Sequence, residues 1–142
     1  MNSGKDSNYQ AEWTVLQNQY DNYEKWSLLI KLTSVVVTAL LLAVFHAGLW
    51  AAIFASVLWL QDGIWKTYQS RINSRLLDVE AALNGTVPGA AGPMQYNQCW
   101  LAARPGVTGL VKEYLCSALA PTVAYPHVVL VGMGLLVGGW GV

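Results

Sequence analysis

The chain has 142 residues, of which 54% are hydrophobic and only 11% are charged. A soluble domain usually carries about 25% charged residues, so this composition predicts that lipid is the solvent for much of the chain. Eight Lys and Arg balance eight Asp and Glu. With no basic stripe in the sequence, the charge distribution argues against nucleic acid as a partner. The first 26 residues are polar, so no cleavable signal peptide is expected.

The first predicted element is a long helix that starts amphipathic and becomes apolar. No Gly or Pro interrupts residues 9–45, and the apolar run 27–45 is close to the ~20 residues that a helix needs to cross a bilayer. Ahead of it, apolar residues recur at alternating spacings of four and three, the heptad pattern of a helix with one packed face: Tyr9, Trp13, Leu16, Tyr20 and Tyr23.

A second apolar run, 48–65, follows after only His46 and Ala47. So short a hinge leaves room only for an antiparallel return, which predicts a transmembrane helical hairpin. The second helix should end at the stop signal Asn84-Gly85. Before that stop it carries a stripe that matches the first one: Tyr68, Ile72, Leu76, Val79 and Leu83.

Folding the hairpin at Ala47 brings the two stripes into one register. Facing residues then have numbers that sum to about 92, so Leu16 meets Leu76 and Tyr23 meets Tyr68. We therefore predict that the arms outside the membrane form an antiparallel coiled-coil stalk. The alternative is that each stripe lies separately on the bilayer surface. The same register suggests an ion pair between Asp21 and Arg71.

The remainder of the chain divides into a Pro/Gly-rich linker, 84–106, and a C-terminal part, 107–142. The C-terminal part begins with an amphipathic helix that ends at Pro121. The segment 122–142 contains no charged side chain and is predicted as a third transmembrane helix, with a re-entrant segment as the alternative. Within it, Gly134 and Gly138 form a Gly-x-x-x-Gly motif, which packs helices closely in lipid. The motif fits either self-association or packing against the chain's own hairpin.

Lys and Arg residues predict the orientation of the hairpin. Six of them flank the two apolar runs on the same side, and the hinge between the runs has none. The positive-inside rule then places the N-terminus, stalk and linker in the cytoplasm. The six residues are Lys5, Lys25, Lys31, Lys66, Arg71 and Arg75.

Few side chains in the sequence indicate chemistry. Lys31 lies about one turn inside the first apolar run, and the hairpin register places Asp62 opposite it. We interpret this pair as a structural ion pair that sets the hairpin register, with an ion or proton site as the alternative. His46 and His127 are interpreted as ordinary polar residues rather than a pH sensor and a metal ligand. No catalytic, cofactor or metal site is predicted, and no cofactor is expected.

Together these patterns predict an all-α integral membrane protein: residues 1–83 as the hairpin with its stalk, 84–106 as the linker, and 107–142 as the amphipathic helix with the third span. The hairpin with cytoplasmic arms, residues 9–83, resembles the two-transmembrane SLATT-type effector domains of bacterial defence systems, by architecture rather than by motif. That resemblance implies a homo-oligomeric pore or membrane-disrupting effector gated by its stalk.

The residues themselves favour a different function. They indicate a non-enzymatic scaffold or accessory subunit of an inner-membrane assembly, because only Ser34, Thr38 and Ser56 are polar at depth. The expected partners are the lipid bilayer and either a second copy of the chain or another membrane protein.

Overall fold

The computed structural model describes residues 3–86 and 92–139, and every regular element within those ranges is a helix. The predicted all-helical class is therefore confirmed for this part of the chain. The linker residues 87–91 and the tail residues 140–142, which belong to the predicted third span, lie outside the described residues. The elements are α1 (Ser3–Ala43), α2 (Gly48–Leu83), α3 (Tyr96–Ala103), α4 (Val107–Ala118) and α5 (Pro121–Gly139).

α1 and α2 are joined by the four-residue turn 44–47, at the position of the predicted hinge. His46 adopts a left-handed conformation with φ of 51°, which ends the helical path of α1 and reverses the chain. The Ala47 amide donates a hydrogen bond of 2.9 Å to the Leu41 carbonyl, satisfying one of the free carbonyls at the end of the helix.

The two arms run antiparallel along their full length. Near the N-terminus of α1, Trp13 Nε1 donates to Glu80 at 2.9 Å. Farther along, the Tyr23 ring lies 4.8 Å from the Trp65 ring and 6.4 Å from the Tyr68 ring, measured between centroids. These contacts keep the two helices in one register over the ~60 Å length of α1.

The stalk has its own apolar core. Leu16, Ile72, Leu76 and Val79 are buried at its centre. Five other residues of the predicted stripes pack around them, together with Tyr96 of α3: Tyr9, Trp13, Tyr20, Tyr23 and Leu83. The stripes therefore face each other in this fold, and whether the arms supercoil as a coiled coil remains a prediction.

α4 and α5 lie along α2 and run antiparallel to it. Trp59 Nε1 of α2 donates to the Ala118 carbonyl of α4 at 2.8 Å. Near the start of α2, Gly48 lies against Gly134 and Gly138 of α5. α2 is therefore the central helix and packs against both α1 and the α4–α5 arm, and α5 also contacts α1.

α5 is bent near its beginning. Tyr125, with φ of −83° and ψ of 128°, is not helical, and Pro126 follows it. A residue before proline is pushed out of the α-region by contact with the proline ring. The helix restarts at Pro126, so His127 lies in its first turn.

Two of the described helices, α1 and α5, are long and apolar enough to cross a membrane. Their most apolar stretches have mean hydropathies of 2.0 and 1.5, and only 17% and 22% of these residues are buried. A core helix of a soluble protein would bury most of its apolar residues. The apolar run 48–65 of α2, predicted as the second span, does not meet the same hydropathy criterion, and its insertion remains a prediction.

The predicted linker contains a helix that the sequence analysis did not anticipate. Its glycines and prolines cluster before residue 94 and again at 105–106. The eight residues between them, Tyr96–Ala103, have no helix breaker and form α3. Tyr96 then packs on the stalk core. The high Gly and Pro content of the whole linker predicted an irregular segment, although a short stretch within it contains neither residue and can form a helix.

The stalk register can be tested by disulfide trapping. In a variant with Cys99 and Cys116 replaced by Ser, the pair Leu16→Cys and Leu76→Cys should cross-link readily on oxidation, since both side chains lie in the shared core. The matched control keeps Leu16→Cys and moves its partner to Leu77, which is 58% exposed. Gel mobility after oxidation gives the result, and equal cross-linking of both pairs would contradict the register.

Candidate functional site

Five polar side chains meet in the interior where α1, α2 and α5 come together, and we call them the polar network. α1 contributes Ser27, Lys31 and Ser34, whose spacings of four and three place them on one helix face. α2 contributes Asp62 and α5 contributes His127. All are buried except Lys31, which is half-buried.

Asp62 is the centre of this network. Its side chain has no solvent exposure, and its Oδ1 atom accepts a short hydrogen bond from the Ser27 hydroxyl. Lys31 Nζ lies 3.4 Å from Asp62 Oδ2 and donates to Ser27 Oγ at 3.1 Å. The structure therefore brings together the two residues that the sequence register pairs.

His127 extends the network across to α5. Its side chain is fully buried, and Nε2 lies 3.5 Å from Asp62 Oδ2. On the other side of the ring, Nδ1 lies 3.3 Å from Ser34 Oγ. The imidazole thus bridges a carboxylate of α2 and a hydroxyl of α1. These two contacts join residues that are 65 and 93 positions apart in the sequence.

The polar face of α1 continues one turn beyond Ser34. Thr38 is 1% exposed, and its hydroxyl has no hydrogen-bond partner among the described residues. A buried hydroxyl without a partner costs about 1–3 kcal/mol. The polar contacts along α1 therefore end before Thr38 and do not continue toward the turn 44–47.

The charges of the polar network are balanced when His127 is neutral. One ammonium, on Lys31, faces one carboxylate, on Asp62. An uncompensated charge in such an environment would cost several kcal/mol. Lys31 retains 23% exposure of its side chain, so its ammonium is the member of the pair that reaches solvent.

An open cavity of about 640 Å³ leads to Lys31 and Ser27. It lies on the stalk side of the network, between α1, α2 and the beginning of α5. Its walls carry both signs of charge, which favours water over lipid tails. The lining residues are Asp21, Glu24, Lys25, Ser27, Leu28, Lys31, Lys66, Gln69 and Thr122.

Ser34, His127 and Asp62 are the three residue types of a hydrolytic triad, but their setting does not suit a nucleophile. Ser34 has no exposure and does not line the open cavity, so a substrate has no described route to its hydroxyl. The network sits on helices, whose interior amides are bonded within the helix and offer no oxyanion donors. What this geometry can do is hold a proton, or pass one between neighbouring groups.

A metal centre finds no support in the described parts of the chain. They contain no group of three or more His, Cys, Asp or Glu side chains that could hold an ion. Lys31 also places a positive charge beside the only carboxylate of the polar network.

The structure places Gly134 and Gly138 against α2 of the same chain. A Cβ atom at Gly134 would lie 2.7 Å from the Ala52 amide nitrogen and 2.9 Å from the Gly48 carbonyl oxygen. Of the two uses that the motif allowed, packing against the chain's own hairpin is the one observed. The motif is thereby occupied within one chain and positions α5, and with it His127.

A second charged cluster holds the linker on the stalk. Arg75 and Glu12 are 4% and 5% exposed, and the guanidinium donates to the two carboxylate oxygens at 2.9 and 3.2 Å. The cluster extends to the linker, because Arg75 also donates to the Gly92 carbonyl and the Met94 amide donates to Glu12. Burial alone would lower the pKa of Arg75, but hydrogen bonds to Glu12 and its negative charge outweigh burial and raise that pKa.

The predicted pair between Asp21 and Arg71 is wrong. Arg71 Nη2 lies 2.7 Å from Glu113 of α4, and Asp21 accepts from Gln17 on its own helix. Register along a hairpin cannot anticipate a carboxylate that a third helix supplies. Burial by itself would lower the pKa of Arg71, but the hydrogen bond and charge of Glu113 raise it overall.

Sequence reasoning missed His127 and the Glu12–Arg75 pair. His127 follows Pro126 and has no charged residue near it in the sequence, so nothing local indicates a partner. Glu12 and Arg75 lie beside the apolar stripes, where they pass for ordinary solvated charges. Their position in the sequence could have indicated the pair, because both lie next to large apolar residues on the helix faces that approach each other in the hairpin.

The pairing of Lys31 with Asp62 can be tested by a double-mutant cycle. Lys31→Met or Asp62→Asn alone should lower the free energy of unfolding by about 1–3 kcal/mol, less than the 3–5 kcal/mol of a fully buried pair because Lys31 reaches solvent. The double variant should recover part of that loss. Reversible unfolding in mixed micelles measures it, and strictly additive losses would argue against an interaction between the two charges.

Comparison of the chain with protein-family models, with curated proteins and with solved structures finds no match in any of the three.

Proposed function

We propose that the protein is a non-enzymatic subunit of an inner-membrane assembly, acting by helix packing as an oligomeric or accessory scaffold. The observation that carries this proposal is the distribution of side chains around α1. Its polar residues Ser34 and Thr38 turn into the interior of the single chain. Its outer face carries exposed apolar side chains that suit lipid or a partner helix: Leu28, Leu29, Leu32, Val35, Val36 and Leu40.

The same distribution weighs against the alternative, a homo-oligomeric pore gated by the stalk. A ring of such chains would line its lumen with the outer helix faces, which are apolar. The polar groups that could line an aqueous path are held within each chain by contacts with Asp62 and His127. A scaffold uses the outer faces directly, whereas a pore would first have to turn the polar network outward.

The exposed stripe of α4 supports a location at the membrane surface. Four apolar side chains at helical spacing, Val107, Val111, Leu115 and Leu119, are between 49% and 78% exposed. The opposite side of α4 packs on α2 through Ser117 and Ala118. An amphipathic helix with this outer stripe suits the boundary between headgroups and acyl chains.

Photo-cross-linking in native membranes tests the scaffold role. A photoreactive residue at Val36, which is 57% exposed, should give a product with a second copy of the chain or with one membrane protein, identified by mass spectrometry. The matched position is Thr38, which is buried and should give only products within the chain. Vesicles containing the purified protein should retain an entrapped dye. Dye release by a ring-shaped oligomer would instead establish the pore.

Cysteine labelling tests the orientation proposed with this function, in which the N-terminus, the stalk and α3 are cytoplasmic. An impermeant thiol reagent added outside intact cells should label an introduced Ala47→Cys at the turn and leave Cys99 of α3 unlabelled. Labelling of Cys99 from outside would show that the protein has the opposite orientation in the membrane, and would leave the fold unchanged.

A further inference from the structure

His127 is a buried titratable group that neither the hairpin register nor the scaffold role requires. A neutral apolar residue would pack α5 on the hairpin at lower cost, because burying a polar ring is unfavourable unless its nitrogens are bonded. Here the imidazole is fully buried and lies between two polar groups from two other helices. That arrangement points to a ligand of the imidazole rather than to packing.

The facing atoms identify the ligand as a proton. Asp62 Oδ2 and His127 Nε2 are buried and lie 3.5 Å apart, and neither atom makes a hydrogen bond to any of the described residues. The separation is too small for a water molecule between them. Two lone pairs facing each other at this distance repel, so the geometry favours binding of a proton between the two atoms.

The contact on the other side of the ring allows a second proton. Ser34 Oγ lies 3.3 Å from Nδ1, and a hydroxyl can either donate or accept a hydrogen bond. With one proton on the ring, the Ser34 hydroxyl donates to Nδ1 when that proton is on Nε2 and accepts from Nδ1–H when the proton is there. With two protons, Nδ1–H donates to Ser34 and Nε2–H donates to Asp62. The pocket therefore provides partners for the neutral and the charged ring alike.

The charged groups around the imidazole set its proton occupancy. α1 presents Lys31 and α2 presents Asp62, and these are the charged side chains of the polar network. Where α4 meets α2 nearby, it contributes Ala118 and Ser117, neither of which titrates. Asp62 stabilises an imidazolium, and Lys31 competes with it for the same carboxylate oxygen.

We propose that His127 is a reversible proton-binding site in the helix interior, with Asp62 as its counterion, Lys31 as the competing cation and the cavity at Lys31 as the entrance for protons. On release, the proton moves from Nε2 to the Asp62 carboxylate. It then leaves through the Ser27 hydroxyl to water in the cavity. The ring keeps its other proton and Lys31 keeps its charge throughout. The Asp62 carboxylate and the Ser27 hydroxyl return to their starting forms, so that one N–H bond is broken and one proton leaves.

The test measures the charge state of His127 in the full-length chain. Replacing His46, the only other histidine, with Gln leaves a single imidazole, and nitrogen NMR of the ring in lipid nanodiscs then distinguishes imidazole from imidazolium. The native network should bind and release this proton reversibly within the pH range over which the fold is intact. A ring that stays in one form throughout that range would overturn the proposal.

Two substitutions should change the occupancy in opposite directions. At a fixed pH, Lys31→Met should raise the ratio of imidazolium to imidazole by about tenfold, and Asp62→Asn should lower it by a similar factor. The matched control is Lys112→Met, because Lys112 is exposed on α4 and does not line the cavity. It should leave the ratio within about twofold. Changes of the same sign for Lys31→Met and Asp62→Asn would refute the assigned roles.

A further variant keeps the test valid if Asp62→Asn does not fold. Ser34→Ala removes the hydroxyl that bonds Nδ1 in both forms of the ring. Because the bond from the charged ring is the stronger of the two, the ratio should fall, while the helix content in circular dichroism stays unchanged. An unchanged ratio in this variant would remove Ser34 from the site and overturn the two-proton geometry. The proposal stands apart from the scaffold role: failure of the cross-linking experiment leaves these ratios unaffected, and the reverse also holds.

Discussion

Replacing Gly134 with Val should separate α5 from the hairpin and cause a large loss of stability. A Cβ atom there would meet backbone atoms, the Ala52 amide nitrogen at 2.7 Å and the Gly48 carbonyl oxygen at 2.9 Å. Backbone atoms of a packed helix cannot move aside as a side chain can. Overpacking of a core costs about 1–3 kcal/mol where side chains can shift, and we expect the upper end of that range or more here.

The measurement is unfolding in mixed micelles, combined with limited proteolysis of the segment that leads into α5. Gly132→Val is the matched control, because a Cβ atom at Gly132 meets nothing within 4 Å and the change adds the same apolar volume to the same helix. It should leave unfolding unchanged within about 0.5 kcal/mol. Equal stability of the two variants would mean that α5 does not pack on α2 through this face.

Replacing Arg75 with Met should be the most destabilising change in the stalk, at about 3–5 kcal/mol. The substitution preserves much of the apolar volume but leaves the Glu12 carboxylate buried at 5% exposure without its two guanidinium bonds. It also removes the bond to the Gly92 carbonyl that holds the linker on the stalk. Because both side chains are buried, little solvent screening reduces the effect.

Arg71→Met, one helical turn earlier, is the control for this prediction. Arg71 pairs with Glu113, whose side chain is 44% exposed, and an exposed pair contributes about 1 kcal/mol or less. Adding Glu12→Gln to Arg75→Met should restore part of the loss, because the buried charge is then removed. Chemical unfolding followed by circular dichroism compares the variants. A loss for Arg75→Met no greater than that for Arg71→Met would contradict the buried pair.

The hairpin follows from the sequence because its signals are local or nearly so. Uninterrupted helical spacing from Tyr9 onward specifies α1. A two-residue hinge then leaves one way for the second helix to return. Matching stripes such as Leu16 and Leu76 bury apolar surface only when aligned, so periodicity and chain connectivity together define the register in which they are found packed.

Local pattern reasoning fails where the third arm docks. The register of the hairpin predicts that Lys31 approaches Asp62, since both belong to the hairpin. Nothing near His127 in the sequence indicates that its ring lies 3.5 Å from that same carboxylate. The approach depends on the Gly48–Gly134 contact and on the bend at Tyr125, which together set the position of α5 along α2.

The sequence alone thus determined the two long helices, the hinge and the pairing of the arms, because helix periodicity and a short connection leave few alternatives. Only the tertiary structure decided which polar groups meet in the interior. The Ser34–His127 contact joins positions 93 residues apart, and Glu12 meets Arg75 across 63 residues. Such contacts depend on how closely two helix backbones can approach and on which side chains are then buried together. A local sequence pattern specifies neither of these.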